Sequence, residues 1–175
     1  RSTLFPYTTL FRSPYRGKYR GGAHRDTSKP PKDGLESNHM PSRDTHAKAG
    51  DGIDPNDAPA IQMDKADHVE TKSHGTKGAE GRRYRIELAE MIKRGDFRGA
   101  MAKEIRDVRR IARDFAKDAR KYNEAMREML KYAKGKGWLT KPPKGTTPTP
   151  LKPPTLPKPP TPPTPKPPKP PEGPG

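Results

Sequence analysis

Cysteine is absent from the 175 residues, which excludes a disulfide framework and any zinc site built on thiolates. Hydrophobic residues are scarce at 27% and aromatic ones at 6%; a globular chain ordinarily carries roughly 45–50% apolar residues. No apolar run approaches the ~20 residues that a membrane-spanning helix needs, and no apolar stretch near the start has the form of a secretory signal. Acidic residues are outnumbered, 21 Asp and Glu against 37 Lys and Arg, for a formal net charge of +16. Mean hydropathy is −1.20. Proline and glycine are plentiful, at 24 and 16. These values predict a small ordered unit inside a largely disordered, basic chain.

The two ends differ in kind. Residues 1–13, RSTLFPYTTLFRS, are similar to the in-frame translation of a common sequencing adapter, so they are set aside from functional reasoning. On that reading the natural N-terminus is missing and the chain is a metagenomic fragment. Residues 141–175 hold seventeen prolines, six lysines and one glutamate, with KPP recurring at Lys141, Lys152, Lys158, Lys166 and Lys169. Such a segment cannot supply the backbone donors of a helix or sheet and is expected to be extended and solvated. Its PxxP spacing, as from Pro157 to Pro160, suits an SH3-type groove, and its composition also suits a spacer or wall-facing stalk. Residues 14–35 read as a disordered basic linker in which Tyr15, Tyr19, Arg16, Arg20 and Arg25 interleave, a pattern able to contact phosphates and stack on bases.

Helical periodicity begins near Ala79. Tyr84, Leu88, Met91 and Ile92 fall on one face. Phe97, Met101, Ile105, Val108, Ile111, Ala112 and Phe115 repeat at steps of three and four, and so do Tyr122, Met126, Met129, Leu130 and Ala133. The last two stretches read as two helices or one bent helix, ended by Gly135 and Gly137. Ahead of them lies a segment that is neither low-complexity nor strongly helical. Ala60, Ile61, Gln62 and Met63 predict a short strand. Asp64 is placed to cap a helix carrying His68 and ending at Gly75, and a long loop around Gly50, Gly52, Pro55 and Asn56 precedes the strand. His24 and His46 sit in polar, unpatterned stretches and read as exposed.

The sequence NHMP from Asn38, then PAIQMDKADHVETKSHG, then the helical tail with DVR and KYNEAM, resembles the ββα-metal nucleases of the HNH/endonuclease VII superfamily. More narrowly it resembles the nuclease domains of bacterial polymorphic toxins. The resemblance covers residues 36–132. It implies an α+β, mostly α fold: a ββα-metal-like unit at 36–76, packed on two or three amphipathic helices at 77–134, with a basic arm before it and a proline-rich tail at 135–175. It implies metal-dependent phosphodiester hydrolysis of DNA or RNA. His39 would be the general base and Asn56 would hold its other ring nitrogen. His68 would be a metal ligand, with Asn38 or Glu36 on the strand side and His74 or Asp67 as lesser alternatives. Relatives usually carry histidine where this chain has Asn38; a neutral amide suits magnesium better than zinc or nickel, so magnesium is the expected cation. It further implies a bacterial, exported protein acting in a target-cell cytoplasm and opposed by an immunity protein.

Residues 14–140 keep a charge of +9 once the two ends are set aside. That charge suits a polyanionic partner. Arg82, Arg83, Arg106, Arg109 and Arg110 are the candidate nucleic-acid contacts, and Arg85 and Arg113 extend the same basic pattern. A reading from another class stands beside the nuclease: a non-catalytic basic interaction module that binds nucleic acid or protein, with the tail as a scaffold.

Overall fold

A computed structural model describes residues 17–140. The adapter-like residues 1–13 and the proline-rich segment from 141 onward lie outside the described residues, and so do the expectations attached to them. The elements in chain order are β1 (Gly21–Ala23), α1 (His24–Thr27), β2 (Leu35–His39), α2 (Arg43–Ala49), β3 (Pro59–Asp64), α3 (Lys65–His68), a 3₁₀ turn (Gly75–Lys77), α4 (Gly78–Lys93), α5 (Phe97–Asp114) and α6 (Asn123–Gly135). The fold is α+β, with a three-stranded antiparallel sheet in the order β1-β3-β2. No helix among the described residues is long and apolar enough to cross a membrane.

β3 is central, paired on one edge with β1 and on the other with β2, and both of its faces are covered: Pro59 through Met63 are all buried. Its register pairs Asn38 with Ile61 and Glu36 with Met63 on one face, and Ser37 with Gln62 and His39 with Ala60 on the other. Ile61 and Met63 join Met40, Leu88, Met101, Val108, Met126 and Met129 in one apolar core between the sheet and helices α4–α6. Burial of such side chains contributes roughly 1.5–3 kcal/mol each and holds the sheet to the helices.

Residues 14–35 were expected to be a disordered linker, yet from Gly21 they form β1 and α1. The order is imposed from afar. β1 pairs with β3, and carboxylates of α6 accept from the backbone of β1 and of the residues before it: Glu124 from Gly17 N–H and Glu128 from Gly21 N–H, both at 2.8 Å. Gly21 is required by this packing, since a Cβ there would stand 1.8 Å from the Ala125 carbonyl oxygen.

Three further expectations are revised. The long loop after His39 contains α2, capped by Ser42, whose hydroxyl accepts from Thr45 N–H, and ended by Gly50 at φ +65°. The helix expected to run from Asp64 toward Gly75 stops at His68 and continues as turns. Asp64 makes no side-chain cap, because its carboxylate takes Tyr19 Oη at 2.8 Å and Lys121 Nζ at 2.6 Å. Of the two readings of the last stretches, two helices is the one observed: α5 and α6 are parted by turns in which Lys117 adopts φ +57° and Phe115 is left 55% exposed.

Candidate active site

His39 is the last residue of the edge strand β2, and the ladder runs on past it through Met40 N–H to the Pro59 carbonyl at 2.8 Å. Its Nε2 lies 3.0 Å from the Pro55 carbonyl oxygen. A carbonyl only accepts, so Nε2 carries the proton and Nδ1 holds the lone pair. Nδ1 has no hydrogen-bond partner among the described residues. Burial lowers the His39 pKa to about 4; the Pro55 hydrogen bond opposes the shift, and the charges of His24, His46 and Arg43 add to it. The ring is therefore neutral at pH 7.

His24 stacks on His39 with ring centroids 3.9 Å apart and planes inclined by 23°. Its Nδ1 is 2.8 Å from Ser37 Oγ, which lies 2.6 Å from Thr27 Oγ1. Burial, and then the Arg43 charge, lowers its pKa as well.

Strand alternation turns Glu36 and Asn38 to the opposite face of β2, where α3 packs. His68 Nδ1 lies 2.6 Å from Glu36 Oε2. A carboxylate only accepts, so Nδ1 carries a proton and Nε2 is the ring nitrogen without a hydrogen-bond partner among the described residues. Glu36 is thus the residue that orients His68, as outer carboxylates orient ligating histidines. Buried Asn38 donates Nδ2 to the Met63 sulfur at 3.3 Å, which leaves its amide oxygen for the cleft it lines. His74 packs edge-on to His68, with centroids 4.9 Å apart. Its Nδ1 accepts from Thr76 N–H at 3.3 Å, so its proton sits on Nε2, and the ring caps the 3₁₀ turn rather than offering a lone pair. Its pKa is lowered by burial and by the neighbouring His68 charge, while Glu36 acts to raise it.

Because β2 is an edge strand, side chains from both of its faces meet in one cleft of about 400 Å³. Ser37, Asn38, His39, Arg43, His68 and Arg82 are among the residues lining it. Arg43 and Arg82 are exposed cations at its rim. Arg85 also borders it but is fixed by Asp44 Oδ2 at 2.7 Å and by the carbonyls of Ser73 and His74.

The candidate residues are therefore brought together only in part. Asn56 is exposed, and its backbone serves the turn: its N–H donates to Asp54 Oδ1 at 2.7 Å and its carbonyl accepts from Arg25 N–H. The neighbouring Pro55 carbonyl holds His39 in its place. Asp67 is buried away from the cleft against Lys121 Nζ at 2.7 Å and Tyr122 Oη at 2.6 Å. Of the five arginines named as candidate nucleic-acid contacts, Arg82 borders the cleft and the other four do not; Arg85, of the same basic pattern, borders it too. Arg83 and Arg110 line a larger one of about 890 Å³ along α4 and α5, Arg106 lines a smaller hollow beside it, and Arg109 lines neither. His46 is buried, with Nδ1 on Asp51 Oδ2 at 2.7 Å. Sequence reasoning missed His24, Ser37 and Arg43. Of these, only Arg43, two residues beyond Pro41 in a basic stretch, carries a visible signal.

Among the described residues no group of three or more His, Asp and Glu side chains is disposed to hold a metal ion. His68 and Asn38 make a smaller set, one imidazole nitrogen and one amide oxygen at the same cleft. Of these two donors the amide oxygen suits magnesium and the imidazole nitrogen a transition metal, and a cation held by only two protein groups keeps most of its waters. Comparison with known protein families, with curated proteins and with solved structures gives no match to this chain.

Proposed function

We propose that the chain hydrolyses phosphodiester bonds of nucleic acid at the cleft beside β2, by the chemistry of a ββα-metal nuclease. The observation that carries this reading is the hydrogen bond from His39 to Pro55, which leaves a neutral imidazole with its Nδ1 lone pair unengaged at a cleft that His68 also lines. The order of elements supports it: an antiparallel strand pair, β2 and β3, followed at once by the helix that ends in His68.

His39 Nδ1 accepts a proton from the attacking water. Glu36 keeps the His68 Nε2 lone pair available. His68 and Asn38 are the residues that would hold a divalent cation, which when bound neutralises charge on the phosphorus centre and leaving oxygen. Arg43 and Arg82 attract the phosphate backbone from the rim. DNA and RNA both remain within this reading, as do the toxin context and an immunity partner.

A non-catalytic basic interaction module is favoured by one observation: a base with a pKa near 4 drives proton transfer weakly at neutral pH. Cleavage of supercoiled plasmid and of RNA by the full chain separates the two. Hydrolysis that stops with EDTA and returns with Mg²⁺, and that Glu36→Gln lowers about 10- to 100-fold through the orientation of His68, supports the nuclease. Nucleic-acid binding without cleavage in any of Mg²⁺, Mn²⁺, Ni²⁺ or Zn²⁺ supports the module.

A further inference from the structure

Pro55 fixes one in-plane direction of the His39 ring, but a single hydrogen bond leaves the ring free to tilt about it. The missing constraint comes from a histidine that lies outside the segment resembling nucleases. Resting on the role of His39 given above, we propose that His24 is a positioning residue, whose stacked ring fixes the plane of the His39 imidazole.

Two features of the stack distinguish it from space filling. It is anchored to the framework that holds Pro55. His24 N–H donates to the Ala58 carbonyl and Arg25 N–H to the Asn56 carbonyl, both at 2.9 Å, so the backbone under His24 and the loop bearing Pro55 move as one piece. Tyr132 Oη donates to the Asp57 carbonyl at 2.7 Å and ties the same loop to α6. The ring is also held by the strand it serves: its Nδ1 meets Ser37 Oγ, two residues before His39 on the same face of β2, and Thr27 Oγ1 backs that hydroxyl. His39 is therefore constrained in its plane by Pro55 and across its face by His24. The His24 ring is only half-buried, so its removal opens no sealed cavity in the apolar core.

The role predicts a loss confined to turnover. In steady-state cleavage of plasmid or RNA by the full chain, His24→Ala lowers kcat about 10- to 100-fold, the scale of a misplaced reacting group. It leaves KM unchanged and Tm within about 2 °C of the parent. His24→Phe keeps a flat ring without the Ser37 bond and restores most of the rate; His24→Asn keeps a Ser37 partner without the ring and does not. Parent-like kcat in His24→Ala, a loss carried by KM, or a Phe variant no better than Ala overturns the proposal. The role of His39 is judged separately, by His39→Ala in the same assay. Long-range proton–nitrogen NMR of the imidazoles reads the positioning without activity. His39 should show one Nε2–H tautomer in the parent and a tautomer mixture or exchange broadening in His24→Ala. Identical His39 signals in the two overturn the proposal even if the parent cleaves nothing.

Discussion

Lys121 donates to two carboxylates at once, Asp64 at 2.6 Å and Asp67 at 2.7 Å, and Tyr122 Oη adds a bond to Asp67 at 2.6 Å. Burial acts to raise the Asp64 pKa, but hydrogen bonds from Lys121 and Tyr19 outweigh it and hold the carboxyl below its usual value. A depressed carboxyl stabilises the fold above its unfolded pKa and loses that contribution as pH falls through the folded one, so this network weakens below about pH 4. Removing the lysine leaves two carboxylates facing one another. Lys121→Met should cost about 3 kcal/mol in urea unfolding at pH 7, the low end for a removed buried partner because Asp64 is a third exposed. A loss under 0.5 kcal/mol would refute this. Glu104 is the opposite case. Burial raises its pKa to about 8; the Asp107 charge adds to the rise, while bonds from Ser73 Oγ and the Ser42 amide oppose it. The folded state then binds the proton more tightly than the unfolded chain, so this group lowers stability as pH rises from about 4.5 to 8. Glu104→Gln should raise Tm at pH 8.5 and change it little at pH 5; a difference independent of pH would contradict the assignment. At this scale His39 and His68 were legible because each sits beside a recognisable element. His24 and Ser37 were not, since their partners are reached only through the pairing of distant strands.

At the scale of elements, periodicity marked what is amphipathic and little else. Phe97, Met101, Val108, Ile111 and Ala112 of α5 follow the three- and four-residue steps of the sequence and are buried, but Glu104 and Asp107 are buried beside them and Ile105 only partly so. Phe115 continues those steps yet stands in water, because the helix has ended before it and the chain turns toward α6. β1 has no hydrophobic signature at all: its sequence is Gly-Gly-Ala, and backbone bonds and the close approach of α6 make it a strand. Gly21→Ala should therefore abolish the native near-UV spectrum or cost several kcal/mol, although a Gly→Ala change in an unconstrained strand stabilises by about 0.4–1 kcal/mol. Parent-like stability would mean that α6 does not lie on β1. α2 was missed because its sequence, RDTHAKA, is polar and its length is only seven residues; the Ser42 cap and the left-handed Gly50 were the available signals.

At the scale of the molecule, the sheet and the three long helices form a unit in which the candidate residues line a cleft beside the edge strand and two exposed arginines, Arg43 and Arg82, stand at its rim. Net charge alone would spread attraction for a polyanion over the whole surface; on the proposed reading Arg43 and Arg82 concentrate it at the cleft. Replacing both by alanine should weaken nucleic-acid binding and reduce the slope of log K against log salt by about 2, with no change in Tm. An unchanged slope would place the nucleic acid on another face, such as that of Arg83 and Arg110. The decisive measurement is cleavage of supercoiled plasmid and of RNA by the full chain and its His39→Ala variant, both with parent-like circular dichroism. If His39 is the general base, the parent cleaves and the variant loses at least about 100-fold in rate, the contribution of such a base. Equal cleavage by the two proteins, or none by the folded parent in any divalent metal, would contradict it.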